Sequence, residues 1–67
     1  MITLKYSGWD FDLMFSSDNR VPSKGETICV NEKRFKVMDI ETRLSTMGEP
    51  EQRWLRVDDI IVYLEDL

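Results

Sequence analysis

The stretch from Arg20 to Leu44 constrains the fold of this chain more than any other part of its sequence. Pro22 and Gly25 predict a corner, because proline fixes φ and glycine readily takes positive φ. After the corner come a short apolar strand, a two-residue polar turn and a longer strand, at 26–30, 31–32 and 33–44. This order is typical of a β-hairpin inside a small antiparallel sheet.

The turn sets how the two strands of this hairpin pair. With Asn31-Glu32 as a two-residue turn, Ile28 faces Phe35 and Cys29 faces Arg34. Asparagine accepts the left-handed backbone that such a turn needs, whereas glutamate is less usual there than glycine. The sequence therefore predicts the hairpin and its register together.

The apolar positions of the longer strand change parity half-way along it. Phe35 and Val37 form one inward-facing set, whereas Met38 and Ile40 begin another. A shift of one residue turns every later side chain to the opposite face of a sheet, so the pattern predicts a β-bulge or sharp bend near Val37.

The remaining apolar segments also alternate with the period of a strand. We predict strands at 2–6, 9–15, 53–57 and 60–64, and a loop at Ser45–Gln52 that carries Gly48 and Pro50. We expect one small β domain over residues 1–67, built as a small curled antiparallel sheet or an SH3-like or OB-like barrel of five to six strands. The predicted core shares Phe35, Val37, Ile40, Leu55 and Val57.

Two motifs of this chain resemble a pattern of small SH3-like β-barrel proteins of bacteria and phages. They are the corner Val21-Pro22-x-x-Gly25-Glu26 and the strand Phe35-x-Val37-x-x-Ile40. The glycine usual in the hairpin turn of that pattern is replaced here by Glu32. The resemblance implies a small barrel and, by analogy, a phage or mobile-element accessory protein. Because the matched residues are structural, it implies no activity.

Composition limits how such a short chain is stabilised. The 67 residues include one cysteine, Cys29, and no histidine. An internal disulfide is therefore impossible, and a structural zinc site would lack its usual ligands. We expect no metal and no cofactor, and stability that comes from packing or from self-association. A lone thiol and the lack of a secretory signal or a long apolar run predict a cytoplasmic protein that does not enter a membrane.

The charge balance favours a protein partner over a nucleic acid. Acidic residues outnumber basic ones by 13 to 9, which gives a net charge of −4. Proteins that hold phosphates usually carry a basic excess, whereas an acidic chain suits a basic surface on another protein. The alternative is a small-barrel nucleic-acid-binding protein that uses the one basic cluster, Lys33, Arg34 and Lys36.

The sequence lacks the combinations of residues that catalysis usually requires. Nucleophilic catalysis needs a base beside the nucleophile, and without histidine Cys29 has no ordinary one. Paired carboxylates occur at Asp10/Asp12, but glycosidase-type chemistry needs two carboxylates across a cleft, which a domain of this size rarely forms. We therefore expect a protein without catalytic residues.

Large amphipathic side chains supply the candidate contact site. Trp54 lies between Arg53 and Arg56, and aromatic residues and arginine are enriched at binding hot spots. Trp54 faces out if Leu55 and Val57 face the core, and the alternative is that it packs over the open end of the barrel. Glu49 and Glu51 add negative charge in the predicted loop beside it. The second candidate is the acidic face of the 9–15 strand, which carries Asp10 and Asp12.

These features predict a non-enzymatic protein-binding module. Its sharpest form is a phage or mobile-element inhibitor of a bacterial defence or host enzyme that acts by surface occlusion. The alternative within the class of interaction proteins is a structural or assembly subunit, such as a virion component, and a homo-oligomer is compatible with either.

Overall fold

The computed structural model describes residues 1–14 and 20–67, and within them it contains five strands and no helix. Strands account for 69% of these residues. In chain order the strands are β1 (Ile2–Tyr6), β2 (Leu13–Met14), β3 (Thr27–Val30), β4 (Lys33–Glu49) and β5 (Gln52–Asp66). They form one sheet in the order β2-β1-β5-β4-β3, which curls through 222° as a half-barrel. The predicted fold class, a small curled sheet of five to six strands, is confirmed.

The sheet is mixed, because β1 and β5 run parallel while the other neighbouring strands are antiparallel. Parallel neighbours need a long connection between them. Here the whole of the chain between Tyr6 and Gln52 supplies that connection, so the first and last strands meet at the centre of the sheet. The alternation of apolar and polar residues within a strand does not indicate which strands pair in parallel.

The predicted β3–β4 hairpin and its register are confirmed. Ile28 lies opposite Phe35 and Cys29 opposite Arg34. The turn residues Asn31 and Glu32 both have positive φ, 50° and 69°. Positive φ at both central residues defines the type I′ turn, whose twist matches that of the flanking strands.

The predicted bulge near Val37 is also confirmed. The pairing of β4 with β5 shifts between Val37 and Asp39, which leaves Met38 as the extra residue. A second shift follows where Leu44 pairs with Val57, and here Asp58 of β5 is extra. Each bulge bends the hairpin and increases its local twist.

Two predictions about local structure are wrong. The predicted loop at Ser45–Gln52 is instead strand up to Glu49, followed by a two-residue turn at Pro50-Glu51. The strand predicted at 9–15 is reduced to Leu13–Met14, and its last residue, Phe15, lies outside the described residues. In both cases the outcome depends on whether a neighbouring strand supplies backbone hydrogen-bond partners, and the pattern of residue types does not specify this.

The core lies on the inner face of the curled sheet. It is formed by six buried side chains, Ile2, Leu4, Phe35, Val37, Val62 and Leu64. The rings of Tyr6 and Trp9 pack on Phe35 edge to face, with centroids 4.9 and 5.4 Å away. Phe35, Val37 and Ile40 of the predicted core are therefore buried or packed against it.

Leu55 and Val57 were predicted to join this core, and this is wrong. They are 64% and 53% exposed. They do lie on the inner face. However, β1 and β3, which flank β5 and β4 in the rest of the sheet, end before they reach this part of it. Their position defines the candidate site.

Candidate interaction surface

The distal half of the β4–β5 hairpin extends beyond the rest of the sheet. We call residues Leu44–Val57 the arm; it consists of the ends of β4 and β5 and the turn at Pro50-Glu51. The described part of the chain measures 49 × 23 × 20 Å, so its long axis is more than twice either of the others. The arm accounts for this elongation, because β4 and β5 are 17 and 15 residues long and their neighbours at most five.

Both strand edges of the arm lack a partner among the described residues. β3 pairs with β4 only as far as Lys36, and β1 pairs with β5 only from Ile60 onward. The arm is therefore a two-stranded ribbon. A hairpin of this kind is marginally stable at best in water when nothing covers it.

The inner face of the arm continues the face that forms the core. Leu44 lies four residues after Ile40 on β4, with no extra residue of β4 between them, so both side chains point to the same side. Cross-strand partners share a face, which places Val57 beside Leu44 and Leu55 beside Thr46. Leu44 is 49% exposed, so Leu44, Leu55 and Val57 form an exposed apolar stripe that leads out of the core.

The outer face of the arm carries Trp54, which pairs with Met47. Trp54 is 57% exposed, so of the two positions that the sequence left open, at the surface or packed over the open end of the barrel, the structure shows the first. Its ring lies over Gly48, where a β-carbon would clash with the ring and with the carbonyl oxygen of Gln52. Gly48 has a φ of +97°, which other residues rarely adopt. Glycine therefore permits both the close approach of the ring and the turn.

Arg56 is held in place on the same outer face. Its Nε donates to Oδ1 of Asp58 at 3.0 Å, and the hydroxyl of Ser45 donates to the same oxygen at 3.1 Å. The hydrogen bond from Ser45 and the ion pair with Arg56 lower the pKa of Asp58. The bulge residue thus anchors a cation two positions from Trp54.

The arm brings together five of the seven residues that the sequence predicted for the site. Trp54 and Arg56 lie on the outer face, Arg53 on the inner face, and Glu49 and Glu51 beside or in the turn. All five are exposed.

Asp10 and Asp12 lie at the other end of the sheet. They follow Tyr6, which pairs with Leu64, and Leu64 is ten residues from Trp54 along β5. At about 3.3 Å per residue this separation is roughly 33 Å. The two predicted sites therefore do not form one contact surface.

Sequence reasoning missed the stripe of Leu44, Leu55 and Val57 as part of the site. Their apolar character indicated a core, and only the unequal lengths of the strands reveal that nothing in the described chain covers them. The one available signal was Asp58-Asp59, which interrupts the apolar pattern of β5 where the arm begins.

The basic cluster is partly used within the chain. Nζ of Lys33 lies 2.9 Å from Asp66 Oδ1 and 5.2 Å from the centroid of the Tyr6 ring. A lysine engaged by a carboxylate and an aromatic ring is less free for a phosphate. Arg34 and Lys36 remain exposed on β4.

Comparisons with protein families, with curated proteins and with solved structures find no match for this chain. The described residues contain no helix that is long and apolar enough to span a membrane. Among those residues there is also no group of three or more metal-ligating side chains. The case for function therefore rests on the arm.

Proposed function

We propose that this protein is a non-enzymatic protein-binding module and that the arm is its contact surface. One observation carries the proposal: Leu44, Leu55 and Val57 form a stripe on the inner face of the arm, Trp54 lies on its outer face, and each of the four is at least 49% exposed. Single exposed hydrophobic residues are ordinary, but a contiguous group of them marks an interaction site.

The physical argument concerns the stability of the arm. Without a third strand or a covering layer, its backbone hydrogen bonds and apolar stripe are both open to water. A partner that covers the arm removes apolar surface from water, at about 25 cal/mol per Å². Binding thus stabilises the arm, which has the least tertiary packing in the isolated chain.

The partner that fits best is a protein with a basic surface. Glu49 and Glu51 lie at the tip of the arm, and the whole chain has a net charge of −4. Charges at the rim of an interface chiefly accelerate encounter, while a central aromatic residue supplies affinity. Trp54 is that central residue in this proposal.

The specific role we propose is inhibition by surface occlusion, as a phage or mobile-element protein directed against a bacterial defence or host enzyme. A small acidic module with an exposed ribbon suits the blocking of a basic groove. A structural or assembly subunit is the second candidate, and the unpaired edges of β4 and β5 favour it.

The test uses the intact chain as bait in bacterial lysate, followed by calorimetry with the purified partner. Trp54→Ala is expected to weaken binding by about 2 kcal/mol or more, roughly thirtyfold, without loss of the fold. Phe11→Ala is the matched control, because Phe11 is 63% exposed and lies far from the arm. Equal affinity of the parent and Trp54→Ala for the captured partner would reject the arm as the contact surface.

A second pair of variants tests the charge argument. Reversing Glu49 and Glu51 to lysine is expected to slow association and to reduce its dependence on salt, with little change in dissociation. Surface plasmon resonance at two salt concentrations measures both rates. Reversal of Asp10 and Asp12 is the control, since these carboxylates lie at the opposite end of the sheet.

A further inference from the structure

We infer that two copies of this chain pair through the open edge of β5, residues 52–58, in an antiparallel and two-fold symmetric arrangement with Leu55 at the axis. This inference goes beyond the proposed function. It assigns the edge of the arm to a second copy, so that the outer faces of the two arms form one surface on which Trp54 and Arg56 of the two copies lie side by side.

The open edge of β5 is the first part of the argument. Between Gln52 and Asp59 the strand is bonded to β4 on one side and to no described strand on the other, because β1 begins its pairing at Ile60. Extended strands with unpaired edges are templates for pairing with another chain. The large exposed side chains of the arm are concentrated on this strand, at Trp54, Leu55 and Val57.

The extent of the open edge and the order of charges along it then select the register, because only an axis at Leu55 pairs the whole of residues 52–58. A two-fold axis normal to the sheet places one residue opposite its own copy. With Leu55 at the axis, Trp54 lies opposite Arg56, Arg53 opposite Val57, and Gln52 opposite Asp58 of the other copy. Within residues 52–58 no like charges lie directly opposite each other, an arrangement that would destabilise a sheet. The first like-charge pair, Glu51 with Asp59, falls outside this range, where Glu51 belongs to the turn.

The neighbouring registers are worse for identifiable reasons. An axis at Trp54 pairs only residues 52–56, because it sets Glu51 and Pro50 of the turn opposite Val57 and Asp58. An axis at Arg56 sets two guanidinium groups opposite each other. An axis at Val57 brings Trp54 against Ile60, but Ile60 is already paired with Ile2 and its N–H bonds to the carbonyl of Met1 at 2.9 Å. The edge is therefore closed at that point.

The selected register also gives each exposed side chain a suitable neighbour. On the outer face each Trp54 ring meets the Arg56 guanidinium of the other copy, which is a cation–π pair. On the inner face Leu55 and Val57 of both copies form one continuous apolar stripe across the axis. The marginal two-stranded ribbon becomes a four-stranded sheet, which has the backbone bonds that an isolated hairpin lacks.

The first experiment measures mass in solution by light scattering across a dilution series. The parent is expected to reach twice the 8.0 kDa mass of the chain as concentration rises. Leu55→Lys places two ammonium groups at the axis and is expected to remain a monomer. Leu44→Lys is the matched control, because Leu44 lies on the same face of β4, away from the edge, and is expected to dimerise like the parent.

The second experiment tests the register itself by cross-linking, in a Cys29→Ser background that removes the one native thiol. Leu55→Cys alone is expected to form an interchain disulfide on mild oxidation, because directly opposite residues lie about 4.5–5.5 Å apart at Cα, within disulfide range. Arg53→Cys and Val57→Cys are each expected to stay uncrosslinked alone and to cross-link when mixed.

A parent that stays monomeric throughout the dilution series overturns the inference. So does a dimer that survives Leu55→Lys, or one in which Leu55→Cys does not cross-link, because a different surface then joins the copies. These outcomes are separate from the proposed function. A monomer whose partner binding is weakened by Trp54→Ala keeps that function, whereas a Leu55-centred dimer that captures no partner loses it.

Discussion

Phe35 shows most directly how single side chains hold this protein together. It is 1% exposed, and Tyr6 and Trp9 enclose its ring. Phe35→Ala removes the ring and leaves a cavity, so we expect it to lower the free energy of unfolding by about 3–5 kcal/mol. Thermal or urea denaturation measures this loss. Phe11→Ala, at a residue 63% exposed, is expected to change stability by about 0.5 kcal/mol or less.

Asp66 gives a prediction about pH at the same scale. Lys33 and the hydroxyl of Tyr6 both donate to its carboxylate, and these bonds lower its pKa, with that of Lys33 the larger cause. Because the folded pKa lies below the unfolded one, the contribution to stability is present above the ordinary range of aspartate. It is lost as the pH falls through the folded pKa. All three groups are at the surface, so the effect is modest.

The test of this prediction is an NMR titration of the Asp66 carboxyl carbon. Lys33→Met is expected to raise the pKa of Asp66 toward its ordinary value and to flatten the loss of stability in acid. Lys36→Met removes the same charge from the opposite face of β4 and is expected to leave Asp66 unchanged. A titration of Asp66 that is identical in the parent and in Lys33→Met would contradict the ion pair as the cause.

At the scale of the element, the β3–β4 turn adopts type I′ geometry although one of its two central residues, Glu32, disfavours it. Glu32 has a φ of 69°, a conformation that costs a side-chain-bearing residue about 1–2 kcal/mol and glycine almost nothing. We expect Glu32→Gly to raise the free energy of unfolding by about 1 kcal/mol, measured by urea denaturation. Glu51→Gly, in the β4–β5 turn, is the control and should not stabilise, because Glu51 does not have positive φ. A destabilised Glu32→Gly would mean that the glutamate side chain makes a compensating contact.

At the scale of the whole molecule, the chain consists of a packed half-barrel and an arm that shares none of its core. The two tryptophans report on the two parts separately, because Trp9 packs against the core and Trp54 lies on the arm. We expect the arm to open at a lower urea concentration than the core, since local stability follows buried apolar contact. Fluorescence of Trp9→Phe then reports the arm and that of Trp54→Phe reports the core. Coincident transitions in dilute protein would show that arm and core unfold as one unit.

The local structure of the central hairpin was predictable from the sequence. The turn at Gly25, whose φ is 87°, the type I′ turn at Asn31-Glu32, the facing of Ile28 and Phe35, and the bulge after Val37 all follow from residue types and parity. Turn chemistry and the two-residue period act over a few residues, so the chain carries their signals locally. The exposure of Trp54 was left open by the sequence, because its alternation with Leu55 and Val57 shows only that it lies on the opposite face of the strand.

The tertiary structure alone decided what Leu55 and Val57 do. Their sequence pattern is that of core residues, and they do lie on the core face, but burial depends on how far the neighbouring strands extend. β1 and β3 end before the arm begins, and no local pattern encodes the length of one strand relative to that of its neighbour in the sheet. For the same reason, no local pattern in the sequence indicated the parallel pairing of β1 with β5. Alternation determines which side of a sheet a residue faces, whereas the strands beside it determine whether that side is buried or available to a partner.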